Sequence, residues 1–357
     1  MTNVPQKIDF SGQTITVGID AHLKSWNISL YFGNQYLKSF NQPPSVDVLS
    51  NFLFTHYPGA AYECAYESGF CGYWIQRELI RRNISCIVVN AADVPQTDKG
   101  AKNKNDKNDS KRLANALQAG QLKGIFVPEP ELEADRQLVR LNDKYNNDLT
   151  RTKNRIKGLL YQFGIEIPVQ FQGTNWSGLF INWLRQVVCP SNSIRMVLDR
   201  QLFLVDTIRQ QKLEVLRDIR NLLKKVDYSK TASHILTIPG IGPLTAAALI
   251  TEVGNMNRFK SFEQFNSFIG FCPMQFSSGE MDHKGNITTR QHKRLRFMLI
   301  EAAWVAVRTD PAFTLCFNEW KIKIGAKRAI IKIGRKLSSR LRYVWLNEMD
   351  YVSGLLK

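Results

Sequence analysis

Two aspartates three residues apart, Asp106 and Asp109, stand in the lysine- and asparagine-rich run AKNKNDKNDSKRLANAL at 101–117. Residues at i and i+3 share a helix face, so a helix opening here would aim both carboxylates the same way. Two further acids close strand-like runs: Asp20 ends TITVGID, and Glu67 ends AAYECAYE ahead of a Ser-Gly-Phe turn. Strand ends are where α/β proteins build their sites. Four carboxylates converging on one edge would repel each other unless divalent cations neutralised them, and hard oxygen donors select Mg2+ or Mn2+. Two such ions can clamp the attacking and leaving oxygens of a phosphodiester. Each acid alone has a plainer use: Asp109 before Ser110 suits a helix cap or first-turn charge, and Asp106 among lysines suits a solvated side chain. The ordered set of strand Asp, strand Glu and D-x-x-D opening a later helix favours the metal site.

A nucleophile is the second requirement. The stretch PMQFSSGEMDHKG at 273–285 offers two hydroxyls, Ser277 and Ser278, followed by Gly279. On its own this is an ordinary loop. Its surroundings are cationic, with His283, Lys284, Arg290, His292, Lys293, Arg294 and Arg296 able to hold a phosphate within reach of a hydroxyl. Serine is a weak nucleophile near neutral pH and needs a base or a metal-polarised phosphorus. Upstream, ILTIPGIGPLTAAALITEVG at 235–254 sets Pro239, Gly240 and Gly242 in a tight turn between two short apolar helices. That is the pattern of a helix-hairpin-helix, whose N–H groups can meet a phosphate at a helix start; a purely structural hairpin is the alternative.

The rest of the chain must position these groups. Its 357 residues, 44% hydrophobic and 11% aromatic, suffice for more than one core, and 48 Lys and Arg against 31 Asp and Glu give a net charge of +17. Such a balance favours a polyanionic partner, nucleic acid first, over a small neutral substrate. No apolar run approaches the roughly 18 residues of a membrane span, and MTNVPQKIDF lacks the basic-then-apolar order of a signal peptide, so a cytoplasmic protein with no membrane partner is expected. Six cysteines, at 64, 71, 86, 189, 272 and 316, form no C-x-x-C pair and read as reduced core thiols.

Three domains are expected. In residues 1–128, TITVGIDA, WNISLYF and YLKSF form a β-meander, followed by strand AAYECAYE, helix GYWIQRELIRRN, strand SCIVVN and helix DSKRLANALQAG, the order of an RNase H-like α/β fold. In 129–228, Leu138, Leu141, Tyr145, Leu149, Thr152, Ile156, Leu159 and Phe163 repeat at spacings of three and four, a coiled-coil or helical-hairpin seam whose partner is the apolar-periodic run 193–226. Off that seam, Arg140, Lys144, Arg151, Lys153, Arg155 and Lys157 suit either a solvated face or phosphate contact. Residues 229–357 read as mainly α, ending in the basic amphipathic segment KIKIGAKRAIIKIGRKLSSRLRYVWL.

GIDAHLKSW, YESGFCGYWIQREL, IVVNAADV and KNDKNDSKRLANAL, in this order, resemble the N-terminal DEDD domain of the one-ten/eleven-eleven group of insertion-sequence transposases, related to the Piv-type DNA invertases. LTIPGIGPLTAAALITEVG, FIGFCPMQFSSGEMDHKGNI and LRFMLIEAAWVAV are similar to the C-terminal domain of the same group. The resemblance implies a RuvC-like domain with Asp20, Glu67, Asp106 and Asp109 as metal-binding and catalytic acids, and a C-terminal domain with Ser278 as nucleophile and Ser277 in reserve. It implies donor and target DNA as substrates, a guiding (bridge) RNA from the element, and a homodimer or tetramer. Gly240, Gly242, Lys284, Arg290, Lys293, Arg294 and Arg296 would be the nucleic-acid contacts. This chain departs from the pattern in TTRQHKRLR, where Thr289 and Gln291 stand in place of a Lys and a Gly; Arg290 or Lys293 is then the substitute cation. A Holliday-junction-type nuclease using water, with both serines structural, is the alternative, and a non-enzymatic nucleic-acid-binding protein is a third reading.

Overall fold

The computed structural model describes residues 9–95, 106–173, 176–278, 281–287 and 291–354, with the side chains of 106–108, 273–278 and 281–287 outside that description. The chain divides into two compact units, 1–127 and 128–357.

In the first unit, β1 (Thr14–Ala21), β2 (Trp26–Phe32) and β3 (Gln35–Gln42) form the expected antiparallel meander. Helix α1 (Val46–His56) follows, then β4 (Ala61–Glu67), α2 (Trp74–Arg81), β5 (Ser85–Val89) and α3 (Asp106–Gln118). Strands β4 and β5 add in parallel beside β1, giving the order β3-β2-β1-β4-β5. Helix α1 has no counterpart in the sequence reading, although Ser45 caps it and Val46, Leu49 and Leu53 repeat at helical spacing.

Alternation along β1 separates two faces. Ile15, Val17 and Ile19 are fully buried in a core shared with Leu49 and Leu53 of α1 and Ile75 and Leu79 of α2. Thr16, Gly18 and Asp20 point the other way, toward α3. A methyl group at Gly18 would lie 2.0 Å from the Ser110 carbonyl oxygen and 2.6 Å from the Ala114 nitrogen, so α3 rests directly on the β1 backbone. Hydroxyls fix it there. Ser110 Oγ donates to Asn27 Oδ1 at 2.7 Å and therefore accepts from Ser29 Oγ, also at 2.7 Å; Ser29 in turn accepts from Ser39 at 2.6 Å. Buried polar groups at a sheet–helix contact are tolerated because each finds a partner.

In the second unit, α4 (Pro130–Gln162) is joined through α5 (Gly178–Gln186) to α6 (Asn192–Leu222). The two long helices run antiparallel: Lys225, just past α6, bonds Asp135 near the start of α4, while Ile156 and Leu160 share a core with Leu198 and Leu202. The buried stripe of α4 is Val139, Asn142, Thr152, Ile156 and Leu160, a slight rotation from the expected seam; Leu138, Leu141, Tyr145, Leu149 and Leu159 flank it half-buried and Phe163 is exposed. Gly164, at φ +64°, follows the helix end.

The remaining elements are α7 (Val226–Leu236), α8 (Pro243–Val253), α9 (Phe262–Ile269), β6 (Pro273–Ser278), β7 (Met281–Ile287), α10 (Lys293–Thr309), α11 (Pro311–Ile324) and α12 (Ala326–Asn347). Their core also takes Val139 of α4 and Val215, Ile219 and Leu222 of α6. The basic C-terminal segment is broken by Gly325, and α12 packs Ile330, Ile333, Leu337 and Leu341 inward, which makes it a packing helix. Asp310, fully buried between α10 and α11, accepts from the Ala312 N–H at 2.8 Å, the Tyr351 hydroxyl at 2.6 Å and the Ser353 hydroxyl at 3.0 Å.

Candidate active site

Asp20 and Glu67 come together by strand register. Parallel pairing of β1 and β4 runs from Thr14 opposite Ala61 to Ile19 opposite Tyr66, and one more step sets Asp20 beside Glu67 on the same face and edge. Asn27, paired with Asp20 across β1 and β2, holds Ser110 of α3. That bond brings the first turn of α3, and with it Asp109, over the acidic end of β1. Arg112, one turn further on, then stands between two acids: its Nη2 is 3.4 Å from Glu67 and 3.2 Å from Asp109. On the other flank His22 Nε2 lies 3.2 Å from Asp20 Oδ2. Asp20, Glu67 and Asp109 remain a fifth to a third exposed, open to an incoming ligand. Asp106 is the first residue of α3, and its side chain lies outside the described residues.

These donors are carboxylate oxygens with one adjoining imidazole, a set that suits a hard cation rather than a soft one. Among the described residues no three His, Cys, Asp or Glu side chains group closely enough to hold a metal ion. Arg112 takes the cationic place between Glu67 and Asp109.

The serine pair lies in a β-hairpin. Ser277 pairs with Asp282, and Ser278, the last residue of β6, pairs with Met281. Lys284 is opposite Gln275; the side chains here, and Arg290 altogether, lie outside the described residues. Lys293 opens α10 and is exposed. Arg294 and Arg296 are engaged internally: Arg294 donates to the Val139 carbonyl at 3.1 Å and pairs with Asp143, and Arg296 donates to the Gly270 carbonyl at 2.9 Å. Gly240, at φ +81°, is pressed against α10, where a methyl group would lie 2.3 Å from the Ala302 oxygen, whereas Gly242 caps α8 with open space around it.

The second unit also holds a buried ion cluster that the sequence reading misses. Glu252 of α8, 2% exposed, receives both Nε and Nη2 of Arg140, at 2.7 and 2.8 Å. Arg136 approaches at 3.4 Å, His292 Nε2 at 3.3 Å and Arg294 Nη1 at 3.6 Å. Burial would raise this carboxyl's pKa, but hydrogen bonds from His292 and Arg140 hold it down at about 2. His292 Nδ1 accepts the Leu295 N–H at 3.3 Å, so its Nε2 carries the proton that faces Glu252. One acid thus ties α4, α8 and the start of α10, the helix that follows the hairpin. The available signals were an acid ending an otherwise apolar helix and two arginines at i, i+4 on α4. Arg112 had a signal too, D-x-x-R across Asp109 and Arg112.

Known proteins match both regions. Residues 232–316 match the family described as Transposase IS116/IS110/IS902, and residues 49–165 match a second model described as Transposase. A Sinorhizobium fredii protein named "Putative transposase y4rJ" is 30% identical over 298 residues, covering 76% of this chain and 74% of that protein. The chain belongs to the IS116/IS110/IS902 transposase family. The transposase for insertion sequence element IS1111A of Coxiella burnetii is 27% identical over 58% of this chain and 56% of its own length. A second Sinorhizobium fredii protein, "Putative transposase y4qE", is 26% identical, and the chain spans 58% of it. The family matches bracket the two candidate regions: Glu67, Asp106 and Asp109 fall in one, and Gly240, Gly242, Glu252, Ser278 and His292 fall in the other. Asp20 lies ahead of both.

Proposed function

We propose that this member of the family is an insertion-sequence transposase that cuts and rejoins DNA through Ser278, with an RNase H-like first domain whose Asp20, Glu67, Asp106 and Asp109 hold Mg2+ or Mn2+. What carries the reading is the in-register pairing of Asp20 and Glu67 under the turn of α3 that bears Asp109. A bound divalent cation would supply Lewis-acid stabilisation of charge on the phosphate oxygens. Ser278 Oγ attacks phosphorus and the sugar oxygen leaves with the proton, so a phosphoserine–DNA link replaces the phosphodiester. Attack by a new DNA hydroxyl reverses the step and frees the serine. Bond count is conserved and no ATP is needed. Gly242, Lys284, Arg290 and Lys293 would grip the phosphates, with Arg294 and Arg296 supporting the loop from within. The family resemblance extends the proposal to a guiding RNA, to an oligomer and to three functional parts at 1–128, 129–228 and 229–357.

The test is a denaturing gel of labelled DNA incubated with protein and Mg2+. A protease-sensitive covalent species is expected from the unaltered chain and is lost in Ser278→Ala, while Ser277→Ala loses little. Alanine at Asp20, Glu67, Asp106 or Asp109 should abolish strand exchange with nucleic-acid binding kept; full exchange by any two of these would defeat the assignment. A hydrolytic reading has one observation in its favour: all four acids belong to the first compact unit. Cleaved DNA without adduct, cut equally by Ser278→Ala, would establish that alternative.

A further inference from the structure

The helical pair α4/α6 gathers four cations that neither the acids nor the serine hairpin uses. Lys153 and Lys157 are one turn apart on α4, a rise of about 6 Å, and Arg209 and Lys212 are three residues apart on α6. Lys153 lies within electrostatic range of the other three. Its Nζ is 5.4 Å from the centre of the Trp176 ring, and Arg209 Nη2 donates to the Trp176 carbonyl at 3.1 Å, so the connector ahead of α5 holds the group in place without neutralising it. Of the acids on α6, Asp206 is shared, with Arg185 taking it at 2.7 Å while Arg209 stands at 3.9 Å, and Glu214 accepts from Gln210 and Gln211. Lys153, Lys157 and Lys212 make no salt bridge among the described residues. Burial first, then its three cationic neighbours, push the Lys153 pKa down. Like charges held together by the fold are stabilised when an anion enters.

We propose that Lys153, Lys157, Arg209 and Lys212 form a binding site for the sugar-phosphate backbone of duplex DNA. This rests on the reading of the protein as one that acts on DNA, and deepens it by assigning a contact surface to the long helices. Duplex is favoured because the ring that touches the cluster, Trp176, is 9% exposed and already engaged by Lys153, leaving no face for an unpaired base to stack on. Lysine ammonium groups suit phosphates as point charges, and Gln210 and Gln211, which stand between Arg209 and Lys212, are turned to Glu214 at 3.0 and 3.2 Å, so the contact is one to the backbone, independent of sequence.

The experiment measures affinity of the full-length protein for a labelled duplex DNA of random sequence over a series of salt concentrations. Lys153→Gln, Lys157→Gln, Lys212→Gln and the Lys153→Gln/Lys212→Gln pair are compared with the unaltered chain. Each substitution should flatten the log–log salt dependence by about 0.9 and weaken binding at low salt. The melting temperature should hold or rise, since repulsion is relieved. If Lys153→Gln lowers it, the more peripheral Lys157→Gln and Lys212→Gln carry the measurement. Slopes equal to that of the unaltered chain would overturn the site while leaving the transposase reading intact. Failure of the unaltered chain to bind DNA at any salt would remove that reading as well. Duplex RNA of the same sequence is the second arm, and flattening seen with RNA alone would overturn the assignment to DNA.

Discussion

Glu252 shows how much one buried side chain can organise. It ends an apolar helix and collects Arg136, Arg140, His292 and Arg294 from elements distant in sequence. Removing one partner of a buried ion pair strands the others, at a cost of about 3–5 kcal/mol. Glu252→Gln should therefore lower stability by that order in denaturant titrations at neutral pH. The pH dependence has a definite sign. The folded carboxyl is held at about 2, below the ordinary glutamate value of about 4.3. Its contribution is thus complete above about pH 4.3 and is lost as pH falls toward about 2, so the gap between the two proteins should be constant from neutral pH to about pH 5 and narrow below it. A gap unchanged down to pH 2 would contradict the ion-pair account. Individual acids at strand ends and helix starts were legible in the sequence because alternation and i, i+3 spacing fix where such side chains point. Glu252 and Arg112 were not read, because their importance lies in partners that periodicity does not name.

Among elements, α3 is the one on which the candidate site depends. A helix seated on a strand backbone needs a residue without a side chain beneath it, and Gly18 meets that need while Ser110 locks the register through Asn27 and Ser29. Gly18→Ala forces α3 off β1. Overpacking of this kind costs about 1–3 kcal/mol, and the loss of strand exchange should exceed what the fall in melting temperature explains, since Asp109 moves with the helix. Retained exchange with a melting temperature near that of the unaltered chain would show that the contact is looser than described. The strands, α2, α3 and the two long helices were legible from period and from glycine punctuation. Helix α1 was passed over between stronger signals, and the seam of α4 was displaced because Val139 and Leu160 are buried while Leu138 and Leu159 only flank the core. The glycines of 240–242 read as a phosphate-meeting turn with a purely structural hairpin as the alternative; the close approach of Gly240 to α10 is a packing demand that the sequence did not name.

Across the whole molecule the governing quantity is charge. A formal +17 spread over two compact units, each with its own apolar core, is self-repulsive and is relieved by a polyanion. Duplex DNA at a hundredfold excess over its Kd should stabilise the fold by about 2.7 kcal/mol, read as a rise in melting temperature at low salt. That gain should vanish near 1 M salt, where screening acts over about 3 Å; a gain that persists there would point to apolar or base-specific contact instead. No described helix is long and apolar enough to cross a membrane. The clasp at Asp310 bears on how such a protein is best handled at the bench. Tyr351 and Ser353 supply two donors to one oxygen of a carboxylate shut away from water, so trimming the chain before Tyr351 would leave that oxygen without its hydroxyl donors, with only the Ala312 and Phe313 N–H groups serving the other, and favour aggregation during expression. Purification handles and fluorescent reporters therefore belong away from this carboxyl-terminal clasp.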